Sequence, residues 1–185
     1  MRLEQKFDEA IANLDNAIAQ NPNIAIAYFL KGACYESMRD EPNMDENYKL
    51  AIEKGKEFGD AQNARQAQER LRNFHYNAGV ASRRTQKWDD AIVSFTKAQE
   101  TDENYFEALH GLAMSYNDKK SWDNAIQHSE KALQLRDDVN IYWELGVAYK
   151  GKNDKAKACE NFKKVTSGPR MENAKHEINV VLKCN

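Results

Sequence analysis

The feature that most constrains this chain is a six-residue pattern that recurs at a nearly constant spacing. The segment KWDDAI, residues 87–92, is followed 34 residues later by SWDNAI, residues 121–126, and an earlier copy is KFDEAI, residues 6–11. A weaker copy, NDKAKA at residues 153–158, falls one residue short of that spacing. A fixed period of this length indicates stacked copies of one supersecondary unit, in which each copy buries its apolar face against its neighbours.

Each copy opens a stretch with helical periodicity. Ala91 is followed by Phe95 and Ala98, and these steps of four and three place the side chains on one face of a helix. A second pattern lies upstream of each copy and is clearest in Tyr142–Tyr149 (YWELGVAY), where a small residue lets two antiparallel helices approach closely. Acidic residues are expected near the helix starts, where they complement the free N–H groups and the helix dipole. These residues are Asp8, Asp45, Asp89 and Asp123.

The composition favours helices and argues against several function classes. Only 8 glycines and 3 prolines occur in 185 residues, and a mean hydropathy of −0.86 predicts a thin, layered core. A net charge of −2 provides no basic surface for nucleic acid. No apolar run approaches the roughly 20 residues of a membrane helix, and no signal peptide is visible. We therefore expect a soluble protein without membrane insertion, cytoplasmic or, if a signal was removed, periplasmic or exported.

Together these patterns resemble the tetratricopeptide repeat (TPR) family, whose signature is W-x2-L-G-x2-Y…A-x3-F…P with a period of 34. Tyr142–Tyr149 matches the first half of this signature, and residues 91–98 and 10–22 match the second half. Lys31 and Ser82 depart from it. The resemblance covers nearly the whole chain and implies an all-α, right-handed superhelical solenoid of antiparallel helix pairs. It would have about four full repeats, a partial N-terminal repeat and a C-terminal capping helix.

The predicted array is not uniform. Its parts are a partial repeat at 1–24, repeats at 25–58, 59–105, 106–138 and 139–170, and a capping helix at 171–185. The partial repeat lacks its first helix, so the chain is either an excised fragment or one with a natural N-terminal cap. Gly32 and Gly79 are 47 residues apart, 13 beyond one period, which predicts one long helix from about Asp60 to Arg84. This extension is interpreted either as a solvated linker or as a helix that docks a partner.

The C-terminal end is predicted to seal the array. Gly168 and Pro169 stop the last repeat, and an amphipathic helix is expected over Met171–Lys183. Four of its side chains are predicted to face inward: Ala174, Ile178, Val181 and Leu182.

The three cysteines are far apart and odd in number, so no disulfide framework is expected. Cys34 and Cys159 are interpreted as small apolar helix residues. Cys184, near the C-terminus, is given no role.

The family resemblance implies that the first helices of the pairs line a concave groove. The predicted peptide-groove residues are Phe29, Ala33, Glu36, Tyr76, Val80, Arg83, Arg84, His110, Met114, Asn117, Trp143, Val147 and Lys150. The set has an aromatic and apolar centre with a polar edge, which is typical of an interaction site. It predicts an apolar-anchored peptide or helix as ligand, with Arg83 and Arg84 contacting acidic groups. Alternatively, helix packing or the C-terminal helix covers part of the groove.

No catalytic, cofactor-binding or metal-binding residues are predicted. The four histidines are scattered, and the sequence has no His-Glu-x-x-His, Cys-x-x-Cys or glycine-rich phosphate motif. The carboxylate clamp that some family members use for chaperone tails is matched only at Asn77, so that partner class is rejected. The sequence therefore predicts a non-enzymatic scaffold for a protein or peptide ligand. The alternative is an architectural, self-associating module of a larger protein.

Overall fold

The structure is a computed structural model that describes residues 3–184, with side chains described from residue 6. Over these residues it contains ten α-helices, one π-helical turn and no strand, so the all-α prediction is confirmed. The helices are α1 (Leu3–Gln20), α2 (Ala25–Met38), α3 (Glu41–Glu57), α4 (Ala61–Arg84), α5 (Trp88–Thr101), α6 (Phe106–Asp118), α7 (Trp122–Leu135), α8 (Val139–Gly151), α9 (Lys155–Lys163) and α10 (Met171–His176), and the π-helical turn is Glu177–Val181.

The helices form two compact units, Met1–Asn73 and Phe74–Asn185, and the division falls within α4. In the first unit α2 packs against both α1 and α3. The side chain of Tyr48 in α3 is completely buried, and Gly32 of α2 makes room for it. A Cβ atom at Gly32 would lie 2.7 Å from Tyr48 Cδ1. Lys31, which departs from the repeat signature, pairs with Asp15 of α1 at 2.6 Å.

In the second unit, consecutive helices from α5 to α9 pack against each other in order. Buried side chains in the described part of this unit form apolar clusters, which include Ala91, Phe95 and Leu112; Phe106, Leu109, Ala132 and Ile141; and Ala158, Phe162, Val165 and Ala174. The core is thus divided into small layers between neighbouring helices, because each helix pair buries apolar side chains only against the pairs next to it.

The long helix expected from about Asp60 to Arg84 is confirmed as α4, which begins at Ala61 and ends at Arg84. Asp60 caps it, since its carboxylate accepts the backbone N–H of Asn63 at 3.2 Å. The boundary between Asn73 and Phe74 shows that its two halves contribute to different units.

The expected positions of acidic residues are only partly correct. Asp89 and Asp123 lie in the first turns of α5 and α7, as predicted. For Asp8 and Asp45 the prediction is wrong, because α1 and α3 begin earlier in the chain. Asp40 caps α3 instead and accepts a backbone N–H three residues further on at 3.3 Å.

The C-terminal segment, residues 170–184, differs from the single amphipathic helix that the sequence predicts. α10 ends at His176 and a π-helical turn follows, in which the N–H of Leu182 donates to the carbonyl of Glu177 at 2.8 Å. Ala174 is buried, and Ile178 and Leu182 pack against the last apolar cluster, as predicted. Val181 is 47 % exposed, so its inward assignment is wrong. The wider π-helical turn breaks the helical periodicity on which that assignment depends.

The interpretation of Cys159 as a small apolar helix residue and of Cys184 as a residue without a role is also wrong. Cys159 in α9 and Cys184 are joined by a disulfide, with their Cα atoms 5.8 Å apart. The C-terminal segment folds back onto α9 and brings together two residues that are 25 positions apart in sequence. Cys34 is a free, half-buried thiol.

Candidate functional site

A concave cleft of about 300 Å³ opens in the second unit between α4, α5 and α6. Its lining includes six of the predicted groove residues: Tyr76, Val80, Arg83, Arg84, His110 and Met114. Phe95, Glu107 and Gly111 complete the lining. The cleft therefore combines aromatic, apolar, basic and acidic groups in a small volume.

The floor of the cleft is aromatic. The ring centroid of Tyr76 lies 5.7 Å from that of Phe95 and 5.5 Å from that of Tyr105. Phe95 itself is 1 % exposed and is held between Gly79 and Gly111, where added Cβ atoms would lie 2.6 and 2.7 Å from its ring. The two glycines thus allow a large ring to pack closely between α4 and α6. Burial, helped by the charge of Glu107, raises the pKa of Tyr76, so its hydroxyl stays protonated at neutral pH.

Arg83 forms the basic edge of the cleft. Its Nη2 pairs with Asp118 Oδ2 at 2.7 Å, and its Nη1 lies 3.4 Å from Met114 Sδ. Its Nε is buried and has no hydrogen-bond partner among the described residues. Arg84, the next residue, is exposed. The guanidinium of Arg83 is therefore fixed in place by a carboxylate, whereas that of Arg84 extends into solvent.

His110 supplies a neutral polar group to the cleft. Burial lowers its pKa below the ordinary value, and the charges of Arg83, Arg136 and Arg170 lower it further, against the opposing effect of Asp138. The imidazole is therefore uncharged at neutral pH, with one nitrogen that donates and one that accepts hydrogen bonds.

Asn117 was predicted at the polar edge of the groove, but it is only 7 % exposed. Its Nδ2 donates to Glu144 Oε2 at 2.7 Å and to the Glu144 carbonyl at 3.0 Å, whereas its Oδ1 has no partner among the described residues. Burial raises the pKa of Glu144, which the hydrogen bond from Asn117 and the charges of Arg170 and Arg83 partly oppose. Glu144 is not among the groove residues predicted from sequence. The sequence feature that indicates it is its place as a single acidic residue within the otherwise apolar segment Tyr142–Tyr149.

Three further predicted groove residues, on α8, lie against the C-terminal segment. Trp143 packs on Phe162 with ring centroids 5.3 Å apart, and the guanidinium carbon of Arg170 lies 5.0 Å from the Trp143 ring centroid. Val147 belongs to the same apolar group. The Nζ of Lys150 lies 2.7 Å from each carboxylate oxygen of Glu177. Helix packing and the C-terminal segment therefore bury part of the surface of these three residues.

The three predicted groove residues of the first unit form a separate cluster with α3 and α4. Glu36 Oε2 accepts hydrogen bonds from the hydroxyl of Tyr48 at 2.6 Å and from Nη1 of Arg70 at 3.1 Å. The guanidinium carbon of Arg70 lies 5.8 Å from the ring centroid of Phe29. Ala33, on the same helix, is half-buried. Because Arg70 occupies the position above Phe29, this cluster is largely satisfied by contacts within its own unit.

Two further histidines, His75 and His128, pack against aromatic rings. His75 is buried and lies edge-on to Phe74, with ring centroids 5.4 Å apart. His128 stacks on Tyr116 at 5.4 Å, and its Nδ1 is buried without a hydrogen-bond partner in the described part of the chain. Burial lowers the pKa of His128 to about 4.

The depressed pKa of His128 predicts a pH dependence of stability. Between about 4 and its ordinary value of 6.5 the unfolded chain binds the proton and the native state does not, so the free energy of unfolding falls as the pH drops through this range. We expect His128→Phe, which keeps the ring stack, to lose less stability between pH 7 and pH 5 than the wild type. Urea unfolding at both pH values measures this. Equal losses in the two proteins would contradict it.

Among residues 3–184, no helix combines the length and the apolar character needed to cross a membrane.

A glycine faces an aromatic ring where two consecutive helices cross in three places: Gly32 and Tyr48, Gly79 and Phe95, and Gly146 and Phe162. This recurrence of one helix pair defines an α-helical repeat protein. Residues 4–41 and 139–167 match models of the tetratricopeptide repeat family. No curated protein sequence matches the chain. Among solved structures, the fold is similar to that of YrrB, a TPR protein with an unusual peptide-binding site. That similarity has a TM-score of 0.54 and 20 % identity over 93 % of this chain and 83 % of that one.

A second similar structure is that of MamA, with a TM-score of 0.51 and 22 % identity over 95 % of this chain and 98 % of that one. At these identities the structural likeness concerns the fold, and the two matched segments identify the repeat type. Residues 4–41 and 139–167 are therefore tetratricopeptide repeats, and the chain has the all-α fold of the tetratricopeptide repeat proteins that it resembles. Members of this family are generally protein-interaction modules and not enzymes.

Proposed function

We propose that this protein is a non-enzymatic scaffold that binds a peptide or short helix in the cleft formed by α4, α5 and α6. The observation that carries the proposal is the lining of that cleft, in which aromatic and apolar side chains adjoin fixed and free guanidinium groups. Tyrosine and arginine are among the side chains that most often dominate binding energy at protein interfaces. The peptide-binding site of the similarly folded YrrB supports the same use of the fold.

The chemistry of the cleft suggests how a ligand would be held. An apolar side chain of the ligand packs against Tyr76 and Met114, which removes apolar surface from water. A carboxylate of the ligand pairs with Arg84, which is exposed. The neutral imidazole of His110 accepts or donates a hydrogen bond to the ligand backbone without a charge penalty. A short segment with one apolar anchor and one acidic residue fits these three groups.

Binding can be tested with twelve-residue peptides selected against the full chain from a random display library and then labelled with fluorescein. We expect Tyr76→Ala to weaken the binding of the selected peptides by about 2 kcal/mol, within the usual range for a dominant interface residue. Arg84→Glu should weaken the binding of acidic peptides and leave the binding of neutral peptides nearly unchanged. Fluorescence anisotropy gives both affinities.

Matched controls distinguish the cleft from the rest of the surface. Arg65 is exposed on the same helix, so Arg65→Glu makes the same charge change outside the cleft. Phe58 is 50 % exposed, so Phe58→Ala removes an aromatic ring elsewhere. If these controls weaken binding as much as the cleft variants do, the peptides bind elsewhere and the proposal fails. Trp143→Ala is a poor probe of this cleft, because Trp143 is not part of its lining and packs on Phe162 of α9.

A further inference from the structure

The C-terminal segment, residues 170–184, depends on few contacts for its position. α10 contains six residues and the π-helical turn five, and helices this short are marginal in water on their own. The segment is held by the buried Ala174, by Ile178 and Leu182 against the same apolar cluster, by the ion pair between Lys150 and Glu177, and by the stacking of Arg170 on Trp143. A disulfide between Cys184 and Cys159 also joins the end of the segment to α9.

The disulfide lies beside an open cavity of about 550 Å³. The cavity is lined by Lys155, Ala156, Cys159, Glu160, Lys163 and Cys184. Cys159 is 8 % exposed, whereas Cys184 is half-buried and is therefore the more accessible of the two cysteines. Two lysines and one glutamate line the cavity, so the net charge of its lining is positive, and a thiolate is stabilised by nearby cations. The cavity thus gives a thiol access to the bond and stabilises the thiolate that leaves.

We propose that the Cys159–Cys184 disulfide is a thiol–disulfide exchange site that acts as a redox latch. When closed, the latch holds the C-terminal segment against Trp143, and a dithiol opens it. A thiolate of the dithiol attacks Sγ of Cys184 and forms a mixed disulfide, while the bond to Cys159 breaks and Cys159 leaves as a thiolate that takes up a proton. The second thiol of the dithiol then attacks the mixed disulfide and releases Cys184 as a thiolate, which also takes up a proton. Two electrons pass to the protein, and the dithiol becomes a disulfide.

Opening the latch uncovers Trp143, Val147 and Lys150, because each of them contacts the C-terminal segment or the cluster that it completes. The rest of the second unit keeps its own apolar clusters, which contain no residue of the segment. Reduction is therefore expected to free the segment without unfolding the unit. The latch goes beyond the proposed peptide binding and would operate whether or not the cleft binds a peptide.

The full chain, air-oxidised and then treated with dithiothreitol, provides the test. After denaturation and alkylation, mass spectrometry should find one modified cysteine in the oxidised protein and three in the reduced protein. Hydrogen exchange in residues 171–182 should become roughly 100-fold faster on reduction, the change expected for losing a cross-link across a loop of this size. Residues 106–135 should keep their protection.

Two variants sharpen the result. Cys184→Ser should show fast exchange in residues 171–182 with or without dithiothreitol, whereas Cys34→Ser, which removes the free thiol, should behave as the wild type. Three alkylated cysteines in the oxidised protein would overturn the proposal, because no bond would then exist. Unchanged exchange in residues 171–182 after reduction would overturn it too, as would loss of protection in residues 106–135, which would make the bond a general stabiliser of the unit.

Discussion

Replacing Gly79 with alanine is expected to lower the free energy of unfolding by about 2 kcal/mol, although alanine is the better helix former. A Cβ atom at this position would lie 2.6 Å from Cδ1 and 2.7 Å from Cε1 of Phe95. The ring cannot move aside, because it is 1 % exposed and is equally close to Gly111 on α6. The steric cost therefore exceeds the gain of about 1 kcal/mol that alanine brings to a helix interior. Urea denaturation followed by circular dichroism gives the difference.

Two companion variants separate the close approach from general effects on α4. Asn77 is exposed on the same helix, so Asn77→Ala should change the free energy of unfolding by no more than about 0.5 kcal/mol. The double variant Gly79→Ala/Phe95→Leu should lose less free energy of unfolding than the two single variants lose together, because leucine makes room for the methyl group. A Gly79→Ala protein as stable as the wild type would show that the glycine is not needed for this packing.

The second large effect is expected at Glu144, where two substitutions should act in opposite directions. Glu144→Gln removes a buried acid whose charged form is disfavoured, and it adds an amide donor next to Asn117, whose Oδ1 has no partner among the described residues. We expect it to raise the free energy of unfolding at pH 8 by about 1 kcal/mol. Glu144→Leu leaves the Nδ2 of Asn117 buried without its side-chain acceptor and should lower that free energy by about 2 kcal/mol.

The effect of Glu144→Gln should also depend on pH. Because the native pKa of Glu144 is raised above its ordinary value of 4.5, the native state holds this proton more tightly than the unfolded chain does. The stability that this group contributes is thus present below pH 4.5 and is lost as the pH rises through the native pKa. The advantage of the glutamine variant should therefore shrink on acidification. Chemical denaturation at pH 8 and pH 4.5 measures it, and an advantage that is the same at both pH values would refute this account of the shift.

Much of the fold could be predicted from sequence because its signals are local and repeated. Ala91, Phe95 and Ala98 lie on one helical face, and their recurrence at a fixed period identifies helix pairs without any knowledge of distant contacts. The extension of α4 was also predictable, because the residues from Asp60 onward are good helix formers and begin with a cap.

The parts that could not be predicted depend on contacts between distant residues. Asn117 was placed at the groove edge by its position in one helix, but its burial depends on Glu144, 27 residues further on. The disulfide likewise depends on the C-terminal segment folding back onto α9, which neither cysteine signals by itself. Phe29 and Glu36 are engaged by Arg70, which lies in the segment that breaks the repeat spacing. A column of groove residues drawn from helical spacing therefore overestimates the surface available to a ligand.

The contacts of Asn117 with Glu144 and of Lys150 with Glu177 span the same sequence distance of 27 residues. The C-terminal segment thus meets α8 in the register in which α8 meets α6, although the segment is shorter and less regular. Because of this shared register, the contact at the end of the array is equivalent to the contact between successive repeats. A gene duplication that copies one whole repeat before residue 170 would preserve this contact at each new junction, whereas an insertion of a few residues between its partners would break it. Growth or shrinkage of this protein in evolution, or in the laboratory, is thereby favoured in steps of a whole repeat.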